Sequence, residues 1–489
     1  MGSSQWTVGS VIPNFVAGHW SSTASTEALP VVNPATGEAL GQVPLSTRDD
    51  AAAAVAAAVR AFPAWRAVPV VERIQVLFRL KALLERHLDQ LAETMTREHG
   101  KTRDESAGEL KRGIESVTHA CAMPTLLMGE TLEDIAPGLD CETIRQPLGV
   151  FAVITPYNFP VMIPLWFWPF AVATGNTVVL KPSERDPLTH QGVVDLAAQA
   201  GLPAGVLNVV HGDQRAVDAL LEHPDVVGVS FVGSSPVARA IYAKAAAAGK
   251  RVQALGGAKN HMIVLPDADY DATARAVIAS VYGAAGQRCL AGSIVVGVGE
   301  AYGPVRERVL SGAAELKLGY GLDAGVTMGP VISGPHRERV AGYVASGERE
   351  GAKLLLDGRG ASVTRYPAGH WFGPTVFEGV RPEMAIGREE IFGPVAGLSR
   401  AGSLEEAIAL VHRNPYGNAI SLFTTSGAAA REFRYRAGIS MLGVNIGVVA
   451  PMAFFPFGGS RGSFYGDLKA QGRDAIEFYT DKRVVISKW

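Results

Sequence analysis

The alternation of apolar and polar positions divides the chain into stretches of different rhythm. Residues 1–45 are rich in Val, Pro, Gly and Thr and close on the turn Asn33-Pro34-Ala35-Thr36-Gly37, a pattern of short strands joined by tight turns. Helical spacing follows. The alanine-rich run 49–65 has high helix propensity, and residues 71–98 repeat apolar positions at helical intervals along their length. From Gly149 the period shortens: apolar runs of strand length at 150–154, 177–180, 206–210 and 226–231 alternate with helical segments at 187–199 and 215–221. That alternation predicts βαβ units and a parallel sheet. Such sheets bind nucleotides outside the carboxyl ends of their strands, so the residues just after each run are the first candidates for function. A second α/β region is expected from about Leu255 to Phe464, and residues 475–489 read as a strand.

Composition narrows the picture. At 489 residues the chain exceeds the size at which one core usually splits, so two large lobes around a cleft are expected. Lys+Arg 45 against Asp+Glu 47 supplies no global field for a polyanion, and nucleic acid is not an expected partner. The longest apolar stretch, 159–174, is broken by Pro160, Pro164 and Pro169, so no membrane span is expected. Residues 1–10 carry neither the basic nor the apolar part of a secretion leader. Cys121, Cys141 and Cys289 lie too far apart for a disulfide or metal pattern, and a cytoplasmic, metal-free protein is the expectation.

Four segments carry candidate chemistry. Cys289 stands in Gly286-Gln287-Arg288-Cys289 between a helical stretch containing Tyr282 and a strand beginning near Ser293, a corner where a thiol beside an arginine can be exposed and reactive. A single cysteine is, however, more often a small buried hydrophobe. Asn158, in Thr155-Pro156-Tyr157-Asn158-Phe159-Pro160, offers an amide donor after the first parallel strand, where the alternative is a turn residue. Lys181 and Glu184 follow the second strand and suit a ribose, or else a solvated loop; a carboxylate there favours NAD over NADP. Gly233-Ser234 precedes a helix whose first amides can receive a pyrophosphate, although it is not a Gly-x-Gly-x-x-Gly fingerprint.

In this order and at these separations the segments resemble the aldehyde dehydrogenase superfamily over essentially the whole chain, as do Glu389-Glu390-Ile391-Phe392-Gly393-Pro394, Gly443-Val444-Asn445 and Pro456-Phe457-Gly458-Gly459. The resemblance implies an α/β fold: a Rossmann-type cofactor domain (1–127 and 148–255), an α/β catalytic domain (256–467) and a small β oligomerisation arm (128–147 and 468–489) of a homodimer or homotetramer. It implies Cys289 as nucleophile and Asn158 with the Cys289 amide as the oxyanion hole. It also implies Thr155, Phe159, Lys181, Glu184, Gly233, Ser234, Glu390 and Phe392 around NAD.

Hydrolytic members have a glutamate directly before Leu-Gly-Gly, where this chain reads Gln253-Ala254-Leu255-Gly256-Gly257. Without that base, water is a poor acceptor for the thioacyl group. The chain is similar in this respect to the methylmalonate/malonate semialdehyde dehydrogenases, which use coenzyme A. Gly257-Ala258-Lys259-Asn260-His261 and the run from Asn158 to Trp166 match them as well. Arg112 and Arg288 are implied as partners of a substrate carboxylate or of active-site order, the bland alternative being structural ion pairs. Three readings stay open: coenzyme A acylation, hydrolysis with Glu390 or His261 as substitute base, and a non-catalytic protein that kept the fold.

Overall fold

The computed structural model describes residues 10–23 and 25–489; the expectation for the chain start falls on residues 1–9, outside the described residues. Two sheets dominate. In the first, the strands Leu207–Val209, Thr177–Lys181, Val150–Ile154, Val226–Val232 and Arg251–Leu255 lie side by side in that order, all parallel. The N-terminal hairpin Asn14–Val16 and His19–Ser21 closes one edge, and Phe464–Gly466 closes the other antiparallel. Strand order therefore reverses between Val150–Ile154 and Val226–Val232, the switch point at which a crevice opens beyond the carboxyl ends. Thr155 and Gly233 are the first residues after those two strands.

The second sheet has seven strands. Thr375–Glu378, Val395–Ala401, Gly292–Val298, Asn260–Val264, Ala419–Phe423 and Met441–Val444 are parallel, with Lys353–Leu356 antiparallel at one edge. A third sheet of three antiparallel strands joins Thr131–Ala136, Leu139–Pro147 and Thr480–Lys488. Thr480–Lys488 is its edge, and Val484 and Ile486 on it are exposed, the liability that strand pairing with another copy would remove.

Two predicted elements differ. Residues 71–98 are two helices, Val70–Arg86 and Leu88–His99, broken at His87, whose backbone leaves helical geometry (φ −101°, ψ 14°). Neither Gly nor Pro marks the break, so the apolar spacing runs through it unchanged. Residues 475–489 begin as helix, Gly472–Tyr479, because Ala475, Ile476, Phe478 and Tyr479 must reach the core together; the strand starts at Thr480. The helix Met162–Thr174 absorbs the longest apolar run and is buried throughout. Among the described residues no single helix is long and apolar enough to cross a membrane.

Candidate active site

Cys289 sits on a short segment between the helix Tyr270–Tyr282 and the strand Gly292–Val298. Its approach is strained. Ala284, Ala285 and Gly286 all have left-handed backbone (φ 48°, 52° and 73°), a conformation that costs an ordinary residue about 1–3 kcal/mol and persists only where surroundings impose it. The imposing groups can be named. Asn260 and Asn418 both donate side-chain amides to the Cys289 carbonyl, at 2.8 and 2.9 Å. Glu105 Oε1 accepts from the Ala284 amide at 2.7 Å and from Arg288 Nη2 at 3.0 Å.

Glu105 can do this because of its place on the helix Arg103–Ala120. Thr102 caps that helix, and Glu105, three residues on, completes the capping box with its other oxygen, accepting from the Thr102 amide at 3.0 Å. One turn further, Glu109 is fully buried. It pairs with Lys101 at 2.6 Å and accepts from the amides of Val161 and Met162 at 2.9 and 3.1 Å. Lys101 in turn donates to the Asn158 carbonyl at 2.7 Å. The segment that carries Asn158 is thus clamped from beneath by a buried ion pair.

Cys289 and Phe159 share a cleft of about 590 Å³ with Trp166, Arg112, Glu115, Arg288, Gln471 and the stretch Val448 to Ala453. A second, small cavity holds Glu390, Phe392, Ala258 and Asn260, and Arg288 lines both. At the crevice of the first sheet, Lys181 and Glu184 form an ion pair at 2.9 Å. Ser234 is exposed at the start of the helix Ser235–Ala247, and its side chain does not cap it.

The electrostatics correct one expectation. The thiol is half-buried, and burial pushes it up to about 12, with the Glu390 carboxylate opposing the thiolate further and Arg288 offsetting only part. Arg288 does little because its guanidinium is spent elsewhere: besides Glu105 it donates to the Ala279 carbonyl at 3.3 Å and lies against Gly283, where a Cβ would collide with it. Burial raises Glu390 itself to about 7 although the Ala258 amide donates to it at 3.0 Å.

Ala254 and its neighbour Leu255 are both buried among apolar side chains. Along Arg251–Leu255 alternate residues face opposite sides of the sheet. Ala254 packs with Ile154, Phe231 and Ala238 on one face, whereas Leu255 belongs to the apolar cluster on the other face, with Trp166, Phe457 and Cys289. Neither position offers a carboxylate. His261, the other substitute base considered, is buried away from the cleft; its ring meets the Lys259 carbonyl, and it lines a different cavity with Ile294 and Val296. Burial lowers it to about 4.

Arg112 is in the cleft, but its guanidinium is engaged by Glu115 at 2.7 Å and by the carbonyls of Ala450 and Pro451. Sequence reasoning missed Glu105, Glu109, Lys101, Asn418 and Gln471. Gln471 is a buried non-glycine with φ 64° and ψ −175°, a conformation nearly restricted to glycine. Asn260 was visible within Ala258-Lys259-Asn260-His261, without a role.

The model of the aldehyde dehydrogenase family matches residues 20–485. The chain belongs to that family. It is 50% identical over 477 residues to malonate-semialdehyde dehydrogenase 2 of Geobacillus thermodenitrificans, covering 98% of this chain and 99% of the relative. Among solved aldehyde dehydrogenase folds, the methylmalonate-semialdehyde dehydrogenase of Oceanimonas doudoroffii is 44% identical with a TM-score of 0.97, over 98% of each chain. A Sinorhizobium meliloti protein assigned as a methylmalonate-semialdehyde dehydrogenase and complexed with NAD is 43% identical, also at 0.97, over 100% of this chain and 99% of the other.

Proposed function

We propose that this aldehyde dehydrogenase oxidises methylmalonate or malonate semialdehyde with NAD and passes the acyl group to coenzyme A, giving propionyl-CoA or acetyl-CoA with loss of carbon dioxide. One observation carries the acyl-transfer half: where hydrolytic members have a glutamate before Leu-Gly-Gly this chain has Ala254, and both Ala254 and Leu255 are buried among apolar side chains. Such a base typically contributes about 10²–10⁴-fold, so a thioester on Cys289 outlives water and waits for a thiol. The names of the relatives support the substrate class.

NAD fits the residues present. Thr155 Oγ1 is buried without a hydrogen-bond partner, the first amides of Ser235–Ala247 have no side-chain cap, and the Lys181–Glu184 pair suits a ribose with a free 2′-hydroxyl. Gly233 lies so close to the Phe231 ring that a side chain there would collide with it. Thr155, Phe159, Lys181, Glu184, Gly233, Ser234, Glu390 and Phe392 would hold the dinucleotide. When bound, it supplies the hydride acceptor.

The chain's own residues do the rest. Cys289 must lose its proton, against the burial that raises the thiol to about 12, before its sulfur bonds to the aldehyde carbon. Asn158 and the Cys289 amide stabilise the oxyanion. Once hydride has left, the carbonyl reforms as a thioester on Cys289; the carboxylate on its α-carbon then leaves as carbon dioxide, its electron pair passing into the thioester enolate, which takes up a proton. The coenzyme A sulfur then replaces the Cys289 sulfur at the carbonyl carbon, and its proton restores the thiol. Arg112 takes the substrate carboxylate, while Arg288 keeps the nucleophile segment ordered through Glu105. Residues 1–127 and 148–255 serve NAD, 256–467 carry the catalysis, and the arm (128–147 and 468–489) pairs copies of a cytoplasmic dimer or tetramer.

A hydrolytic second reading has one observation in its favour: burial raises Glu390 to about 7, in the range of a general base, and it is near enough for its charge to oppose the Cys289 thiolate. The test is NADH formation from both semialdehydes with and without coenzyme A, followed by mass analysis. Turnover that needs coenzyme A and yields acyl-CoA is expected; equal turnover to free acid without it would establish hydrolysis instead.

A further inference from the structure

We propose that Glu115 sets the preference among aldehydes by competing with the substrate's own carboxylate for Arg112. The proposal rests on the reading of Arg112 as the carboxylate's partner. Both residues line the cleft that holds Cys289, one helical turn apart on Arg103–Ala120. Arg112 Nη1 donates to Glu115 Oε2 at 2.7 Å and meets Met452 Sδ at 3.2 Å; Nη2 donates to the Ala450 carbonyl at 3.4 Å and to that of Pro451. A guanidinium grips a carboxylate best with two parallel N–H donors. Here both terminal nitrogens are taken, so a carboxylate held by two donors must displace a partner.

Glu115 is the partner that leaves. The carbonyls belong to a stretch tied on both sides, by the Ala450 amide on the Val448 carbonyl at 3.0 Å and by the Gly472 amide on the Ala453 carbonyl at 3.0 Å. Moving them means moving backbone. The Glu115 side chain is 35% exposed and reaches water by a change of rotamer. Its departure also exchanges one carboxylate for another, so the Arg112 charge stays paired throughout. Two other carboxylates on this helix line the cleft, but Glu105 is held by Arg288 and the Ala284 amide, and Glu109 by Lys101 and two amides. Glu115 alone of the three bears on Arg112. A neutral aldehyde requires no such exchange.

A pair this exposed is worth a few tenths to one kcal/mol, about a 2- to 5-fold change in an equilibrium constant. The experiment compares wild type with Glu115→Gln at saturating NAD and coenzyme A, using malonate semialdehyde, propanal as its neutral counterpart, and malonate as an unreactive inhibitor against propanal. In Glu115→Gln, KM for malonate semialdehyde and Ki for malonate fall about 2- to 5-fold. KM for propanal and kcat for both aldehydes stay unchanged. Unchanged constants for all three compounds overturn the proposal. So does a rise for the carboxylated pair, which would make Glu115 a residue that aims Arg112 at the substrate. Glu115→Asp retains the charge on a shorter reach, and a fall smaller than that of Glu115→Gln is expected; no fall at all counts against the proposal. If wild type itself fails to prefer malonate semialdehyde to propanal and is indifferent to malonate, the carboxylated-substrate reading fails, a result distinct from failure of the Glu115 role alone.

Discussion

The floor of the cleft and its mouth are built on one helix, Arg103–Ala120, and are held in opposite ways. On the floor, Glu105 and Glu109 face inward and every oxygen has a partner: the Thr102 and Ala284 amides, Arg288, Lys101, and the amides of Val161 and Met162. At the mouth, Arg112 and Glu115 are about a third exposed, and Phe454 and Phe455 nearby are 53% and 57% exposed. A buried carboxylate that loses one partner keeps the whole desolvation cost, so the floor tolerates no rearrangement. An exposed pair exchanges with water or ligand cheaply. Chemistry is placed where partners cannot change, and selection where they can.

The largest expected effect tests the floor at its centre. Cys289→Ala is expected to abolish NADH formation from every aldehyde while the fold persists by circular dichroism; residual turnover would move the nucleophile elsewhere. Next comes the buried pair. Glu109→Ala strands the Lys101 charge and should cost about 3–5 kcal/mol in urea unfolding. Glu115→Ala should cost less than about 1 kcal/mol. Similar losses from the two would erase the contrast between floor and mouth.

Smaller in free energy is Ala254→Glu, which places a carboxylate directly before Leu255-Gly256-Gly257, as in the hydrolytic members. Free-acid formation without coenzyme A should rise, by up to about 10²-fold. Gln253→Glu, one residue earlier and buried against Ser230 and Tyr479, should give no such gain. If the two behave alike, the missing carboxylate at 254 is not what protects the thioester from water.

The smallest effect is electrostatic. Glu390 carries its charge above about 7, and that charge opposes the Cys289 thiolate. Glu390→Gln should therefore bring the thiol below about 12 and speed its alkylation by iodoacetamide at pH 8–9. Below pH 7 wild-type Glu390 is itself largely neutral, and the two proteins should converge. A variant that reacts more slowly would show that Glu390 assists the thiolate.

Legibility followed distance along the chain. The strands of the first sheet were readable, and so were the residues at their ends, because each depends on a few consecutive side chains and a change of period. Lys181 and Glu184, three apart at the end of a strand, pair with each other at 2.9 Å. Asn418 and Glu105 reach the Cys289 segment from 129 and 179 positions away, and no local pattern marks either. The break at His87 carries no Gly or Pro, and the helix Gly472–Tyr479 shares its apolar content with the strand after it.

By itself, the sequence determined the order of elements, the kind of sheet and the reactive groups available, since these follow from periodicity and side-chain chemistry over short windows. Only the tertiary structure decided that Arg288 is committed to Glu105 and that burial pushes the Cys289 thiol up. Each of those depends on which distant surfaces exclude water around a group, and desolvation is a property of the packed whole.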